Sequence, residues 1–349
     1  MNVINIGEHK IGPDEPVFII AEAGINHNGD MEIARKLIDV AVEAGAHAVK
    51  FQTINADKLT SADAPKAAYQ LENTGNQESQ HDMLQRVELT WDDHKMLQSY
   101  CNERGIIFIS SPFDEESIDL LDRLEVPAFK VPSGESINLP YLRRMARKNR
   151  PIILSTGMSN LAEVDEAVRT INAEGNEQVI VLHCVSNYPA SPASVNLKAM
   201  ATMSSALGVL TGFSDHTLGT EIPIASAALG AVVIEKHFTL DRNMEGPDHL
   251  ASLEPDELAE MVRTIRNVKS ALGNGIKRSV EEEEDTRLIA RKSLHAGIDM
   301  EAGHTLAGED LISLRPGTGI LPNMLDVVLG RHLNNPVKKG QMLTWDNLV

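Results

Sequence analysis

The chain has 349 residues, room for a large core and long for a single domain, and a formal net charge of −18. Such acidity excludes nucleic acid and anionic membrane surfaces as partners, because both are bound through excess Lys and Arg, so any anionic ligand must be small and locally compensated. Two cysteines, Cys101 and Cys184, exclude a disulfide framework and read as buried thiols of a reducing compartment. With no apolar run long enough to span a bilayer, and no basic-then-apolar leader after Met1, a soluble cytoplasmic protein is expected.

One unit repeats along the chain: an apolar strand, polar residues at its end, then an amphipathic helix. Val17 to Glu22 opens the series, and a helix from about Met31 follows, with Ile33, Leu37, Val40 and Ala44 at the 3.6-residue period. Ala48 to Gln52 is the second strand. The polar stretch from Thr53 to Glu88 is far longer than an ordinary connection, so it reads as a lid or wall over a site, or equally as a tolerated surface insertion. Thr90, with Asp93 three residues on, caps a helix that Gly105 closes before the third strand, Ile106 to Ser111. Further strands are expected at 128–133, 151–156, 179–184, 210–214 and 231–235. Helices are expected near 115–124 and 139–147, from Asn160 to about Ala173, and from Pro255 to about Leu272.

Eight strands alternating with helices, made of continuous Ile, Val and Leu runs, predict an all-parallel sheet covered by helices. The count and the span of about 15–272 predict a closed (β/α)8 TIM barrel, an α/β fold. An open doubly wound sheet would place a glycine-rich phosphate turn after the first strand, and Ala23-Gly-Ile-Asn-His-Asn-Gly29 lacks that spacing.

In a barrel, chemistry sits at the C-terminal ends of the strands. Those ends carry Glu22, Lys50, Gln52, Ser110, Ser111, Lys130, Ser133, Ser155, Thr156, His183, Ser186, Ser214, His216, Glu235 and His237. A lysine inside an apolar strand is costly unless paired, and two lysines converging with several hydroxyls suit a phosphate or carboxylate. Serine caps and lysine–carboxylate pairs are the plainer alternative. His216 and His237 end neighbouring strands and could share a metal near Asp215 and Glu235, although each taken singly also reads as a helix cap or a core histidine.

Glu22-Ala-Gly-Ile-Asn-His-Asn-Gly29, Val49-Lys-Phe-Gln52, Ser110-Ser-Pro-Phe113, Lys130-Val-Pro-Ser-Gly-Glu135, Ser155-Thr-Gly-Met158, Ser214-Asp-His216, Glu235-Lys-His-Phe-Thr239 and Gly246-Pro-Asp248 occur in that order. Together they resemble the sialic acid synthases, the N-acetylneuraminate synthase family, across nearly the whole chain. The resemblance implies condensation of phosphoenolpyruvate with the open-chain aldehyde of an N-acylated amino sugar, with release of phosphate. N-acetylmannosamine, giving N-acetylneuraminate, is the main expectation. A 2,4-diacetamido-2,4,6-trideoxyhexose, giving legionaminate or pseudaminate, is the alternative.

The same resemblance implies a divalent metal, commonly manganese, with magnesium or cobalt as alternatives, bound by His216 and His237. It places phosphoenolpyruvate against Lys50, Ser111, Lys130, Ser133, Ser155 and Ser214, and Ser186 stands where relatives can carry a phosphate-contacting Asn. Glu22, Gln52, Tyr188 and Asp248 are implied to surround the sugar, with Glu235 beside the reacting centre. The metal would act as Lewis acid on the aldehyde, Lys50 and Lys130 would stabilise departing phosphate, and Glu235 or Glu22 would handle the proton of the attacking water.

After Gly273-Asn-Gly275 the composition changes. Residues 1–275 are read as the barrel, 276–290 with the acidic run Glu281–Asp285 as a linker, and 291–349 as a small β-rich module that looks like the SAF, or antifreeze-like, domain of this family. The resemblance also implies a domain-swapped homodimer in which Arg315 contacts the N-acyl group in the partner's barrel; alone, Arg315 is an ordinary loop charge. Two other functions compete: a Schiff-base aldolase using Lys50 or Lys130, and a non-catalytic sugar-binding barrel.

Overall fold

The computed structural model describes residues 3–74 and 78–349; Met1 and Asn2 of the N-terminal segment, and 75–77 of the long polar stretch, lie outside the described residues. Ile4–Ile6 (β1) and His9–Ile11 (β2) form an antiparallel hairpin turned at Gly7, whose φ of 59° suits glycine. Strands of three residues are too short to show a period, and the sequence gives no sign of this hairpin.

Eight parallel strands follow: Phe18–Gly24 (β3), Ala48–Thr53 (β4), Ile107–Pro112 (β5), Phe129–Val131 (β6), Ile152–Ser155 (β7), Val179–Cys184 (β8), Leu210–Asp215 (β9) and Val233–His237 (β10). Their order is β5-β4-β3-β10-β9-β8-β7-β6, and β5 lies beside β6 without a ladder between them, so the TIM-type barrel is nearly closed. The expected helices cover it, among them Met31–Glu43, Trp91–Arg104, Leu161–Ala173 and Pro255–Leu272. The capping pairs Thr90/Asp93 and Asn160/Glu163 both form.

Strand parity sorts the side chains into two layers. Phe18, Ile20, Ile109, Ile153, Ile180, Leu182, Leu210 and Val233 fill the barrel interior, together with Ile4, Ile6 and Ile11 of the hairpin. The hairpin meets the first residues of several strands, so it fills the barrel's N-terminal end. The alternate residues, such as Ile19, Val49, Phe213 and Ile234, pack outward against the helices. Gly212 lies where the interior is tightest: a Cβ there would meet Val233 O at 2.3 Å.

The 53–88 stretch is not a structureless insertion. It carries short helices at Ala56–Leu59, Ala68–Thr74 and Gln80–Gln85, and Ile54, Ala56, Met83, Leu84 and Val87 form a small apolar cluster of their own with Ile25. None of the described helices is long and apolar enough to cross a membrane.

The chain divides into two compact units, Met1–Gly273 and Asn274–Val349. In the second, Ser293–Ala296 (β11) pairs with Leu311–Leu314 (β12), and Leu294, Met300, Leu306, Ile320, Leu333 and Leu343 form its core. The acidic run read as linker is a 3-10 turn at Glu281–Glu283 leading into a helix at Glu284–Ala290, which a charge count alone does not reveal.

Candidate active site

The barrel strands deliver their polar ends to one cavity of about 360 Å³. Glu22 comes from β3, Lys50 and Gln52 from β4, Ser111 from β5, Lys130 from β6, Ser155 from β7, Ser214 from β9, and Glu235 and His237 from β10. Ser133, Ser186, Tyr188, His216 and Asp248 join them from the loops beyond the strands. Every residue that the family resemblance implies for the barrel site therefore lines the same space, whereas Ser110, Thr156, His183 and Asp215 do not: Ser110 bonds Thr53, Thr156 donates to Leu182 O, His183 meets Val195 O and Asp215 pairs with Lys236. Arg315 is exposed in the second unit, next to Pro316.

Both lysines are buried, and both do pair with carboxylates. Lys50 Nζ lies 2.8 Å from Glu22 and 3.7 Å from Glu235, and donates to Ser111 Oγ at 3.1 Å. Lys130 Nζ lies 3.6 Å from Glu235 and donates to Ser155 Oγ at 2.7 Å, while the Ser214 hydroxyl donates to Glu235 at 2.9 Å. Burial, reinforced by Glu235, pushes Glu22 up to about 7 against the pull of Lys50. Burial would raise Glu235 as well, yet Lys130, Lys50 and Ser214 hold it below the usual glutamate range. With Glu22 about half ionised at pH 7, the two buried lysines face about one and a half carboxylate charges, although burial draws Lys130 below its usual range. The surplus suits an anion, so the paired lysines do not exclude the anion-binding reading.

Hydroxyls gather beside Lys130. Gly157 N–H donates to Ser133 Oγ at 3.1 Å, and a Cβ on Gly157 would stand 2.1 Å from Ser186 Oγ, so only glycine lets these groups converge. Cys184 joins this cluster, 3.6 Å from Ser133 Oγ and 3.8 Å from His216 Nδ1.

The two strand-end imidazoles have ring centroids 5.4 Å apart. His216 Nδ1 lies 2.7 Å from Val185 O, which assigns the proton to Nδ1 and leaves Nε2 as the free lone pair. His237 Nδ1 is buried with no hydrogen-bond partner, and burial holds this ring neutral, well below the usual range. Burial lowers His216, but Cys184, Val185 O and Glu235 together raise it above the usual range, so a metal would have to displace a proton there; the two imidazole nitrogens then fit a divalent transition metal. Among the described residues no group of three or more His, Cys, Asp and Glu side chains is arranged to hold a metal, so a metal here would depend on substrate oxygens and water for the rest of its shell.

The 53–88 segment walls one side of the cavity with Leu59, Thr60, Tyr69, Gln70, Gln80 and Leu84. Ile25, Ile54 and Phe113 continue this flank as apolar surface. Tyr69 lies 4.9 Å from the Tyr188 ring, which in turn stacks on His216 at 4.0 Å. The Asn73 amide donates to Pro247 O at 2.6 Å, tying the segment to the loop that carries Asp248. Tyr69, Gln70 and Gln80 are absent from the sequence-derived site, although the abnormal length of 53–88 marked their segment as a lid or wall.

The NeuB family pattern matches residues 37–277, and the SAF domain pattern matches 291–349. The chain is 45% identical over 341 residues to an N,N'-diacetyllegionaminic acid synthase of Legionella pneumophila, covering 97% of this chain and 96% of that one. It is 46% identical to the protein of the same description from Campylobacter jejuni, covering 93% and 98%. Among solved structures, an N-acetylneuraminic acid (sialic acid) synthetase from Leptospira borgpetersenii, crystallised with citrate, superposes with a TM-score of 0.72 at 34% identity, covering 82% and 95%.

Proposed function

Because the chain belongs to the NeuB family, we propose that it condenses phosphoenolpyruvate with the open-chain form of a 2,4-diacetamido-2,4,6-trideoxyhexose, giving a legionaminate-type nine-carbon acid and phosphate. This revises the main expectation of N-acetylmannosamine in favour of the alternative. The observation that carries it is the higher identity to the two legionaminic acid synthases, over more of the chain, than to the N-acetylneuraminic acid synthetase. The apolar flank of Ile54, Leu59 and Leu84 supports it, since a deoxy methyl group gains from such a surface and a hydroxymethyl group does not.

In this reading Lys130 holds the phosphate with Ser133, Ser155 and Ser186, and Lys50 with Ser111 holds the carboxylate. The flank formed by Gln52, Tyr69, Gln70, Tyr188 and Asp248 orients the sugar so that its aldehyde carbon faces C3 of phosphoenolpyruvate. A divalent metal held by His216 and His237 would supply Lewis-acid polarisation of the aldehyde.

As C3 bonds to the aldehyde carbon, the enol double bond is spent and C2 becomes cationic. Glu22, poised near neutrality, is placed to give its proton to the aldehyde oxygen. Glu235, held ionised by Lys130 and Lys50, takes a proton from the water that adds to C2. The resulting hemiketal phosphate collapses as its C2 hydroxyl becomes the ketone and the bond from C2 to the phosphate oxygen breaks; the departing phosphate, stabilised by Lys130, carries the hydroxyl proton away. Arg315, in a second copy of the chain, completes the site at the sugar's N-acyl group; Arg315→Ala then raises KM for the sugar.

The test is phosphate release from phosphoenolpyruvate by metal-stripped protein, with manganese restored and each candidate sugar supplied in turn. Release that requires both manganese and the diacetamido sugar is the expected result. Release with N-acetylmannosamine alone overturns the choice of sugar, and no release with any sugar overturns the reaction.

A further inference from the structure

Lys236 stands between two cavity groups, Glu235 and His237, and by strand parity it points the other way, into the layer between barrel and helices. It is fully buried there. Its register partner on β9 is Asp215, the residue before His216, and Asp215 points into the same layer. Lys236 Nζ donates to Asp215 Oδ2 at 2.6 Å and also to the carbonyl of Thr217. The Asp215 carboxylate in turn accepts the Thr217 N–H at 3.0 Å and the Thr217 hydroxyl at 3.0 Å. Both residues flanking His216 are thus fastened to the residue preceding His237. From the far side, Ala190 N–H donates to His216 O at 2.8 Å.

A buried ion pair is no reason in itself for stability, since an apolar pair of similar volume often serves as well or better. What charges and hydrogen bonds add is direction. An apolar pair would fill the layer without fixing where the backbone of Thr217 lies relative to β10. The satisfaction of these groups is also unlike that of the cavity: Glu22, Glu235 and His237 each keep a buried polar atom without a hydrogen-bond partner, whereas Asp215, Lys236 and Thr217 keep none. The cavity side of these strand ends is left open for ligands, and the reverse side is closed.

We propose that Lys236, Asp215 and Thr217 form a clamp that fixes the spacing of His216 and His237 and so sets their affinity for a divalent metal, without touching substrate. This rests on the reading of the two imidazoles as the metal-binding pair. The three are positioning residues, and their effect reaches the chemistry only through the histidines.

The test is manganese binding to metal-stripped full-length protein, measured by calorimetry with no substrate present, alongside thermal unfolding. Lys236→Met alone would strand Asp215 as an unpaired buried charge, so the informative variant is Lys236→Met with Asp215→Leu. It is expected to unfold near the wild-type temperature yet bind manganese about 10–100-fold more weakly, the range found when groups that orient a metal-binding histidine are lost. Thr217→Val, which removes only the hydroxyl link at equal volume, is expected to weaken manganese binding in the same direction and keeps the test alive if the double variant does not fold. Leu97→Ala, destabilising in the same layer on the helix Trp91–Arg104, is expected to leave manganese affinity unchanged.

Wild-type affinity in both clamp variants overturns the clamp, as does an equal loss of affinity in Leu97→Ala, which would show that stability alone is being read. Wild-type protein that takes up no manganese overturns the two-imidazole reading itself, and the clamp's purpose with it.

Discussion

Glu22 and Lys50 are register partners on β3 and β4, and their charged ends meet at 2.8 Å inside the barrel. The contact ties the proton-holding carboxyl to the cation that also reaches Glu235, so neither can be altered without disturbing the other. Removing Lys50 leaves two buried carboxylates short of a counter-charge, a change that costs about 3–5 kcal/mol in comparable buried pairs.

Lys50→Met is therefore expected to lower the unfolding temperature and to reduce kcat for phosphate release by about 100-fold or more. Glu22 and Glu235 hold the Lys50 ammonium above its usual range despite burial, so it has no free amine for a carbonyl. Borohydride with pyruvate should leave no covalent adduct by mass spectrometry. A trapped adduct at Lys50, or at Lys130, which burial draws below its usual range, would restore the Schiff-base aldolase.

His237→Ala is expected to abolish manganese-dependent phosphate release while the protein stays folded, because the ring has no hydrogen-bond partner at Nδ1 to lose. Circular dichroism and a phosphate assay check the two halves. Full activity in this variant would remove the metal from the mechanism.

Stability should fall on mild acidification. Ile19 N–H donates to His47 Nδ1 at 3.0 Å and Gly29 N–H to His27 Nδ1 at 3.0 Å, and a nitrogen that accepts a hydrogen bond cannot also hold a proton. Burial, with neighbouring cationic groups, depresses both rings from 6.5 to about 4. The unfolded chain then takes up protons below about pH 6.5 that the folded chain refuses until about pH 4. The stabilisation is present above the first value and lost as pH falls toward the second. Unfolding temperatures measured between about pH 7 and pH 4.5 should decline, and His47→Asn, whose amide oxygen can accept the same N–H, should flatten the slope. A flat wild-type profile would contradict this account.

Leu59, half-buried on the apolar flank, is a good probe of sugar choice. Leu59→Asn should reduce kcat/KM for the diacetamido trideoxy sugar by about 10-fold, the scale of one misplaced methyl group, and change it less for N-acetylmannosamine. An equal loss for both sugars would mean that the flank does not select between them.

The barrel was legible because its strands are continuous apolar runs, and the strand-end groups because a lysine such as Lys50 stands out inside one. Gln52, Ser111 and Glu235 followed from their places at the strand ends. Period-two counting along β10 would have set Lys236 apart from Glu235 and His237. Tyr69, Gln70 and Gln80 could not be placed, since they reach the cavity only through the way a remote segment folds over it. The hairpin was missed because three residues give no pattern to read. Arg315 remains an exposed arginine whose proposed role depends on a second chain.

The isoleucines of that hairpin, Ile4, Ile6 and Ile11, plug one end of the barrel, so among the described residues the reaction chamber is a well closed at its floor. Molecules in such a well must queue. In the proposed reaction the ligand of Lys50 and Lys130 would lie at the bottom, on the strands themselves, and the sugar above it, against side chains borne on loops, where it would bar the way to anything arriving later. Phosphoenolpyruvate would then have to come first, and the nine-carbon product would have to clear the mouth before the next round begins.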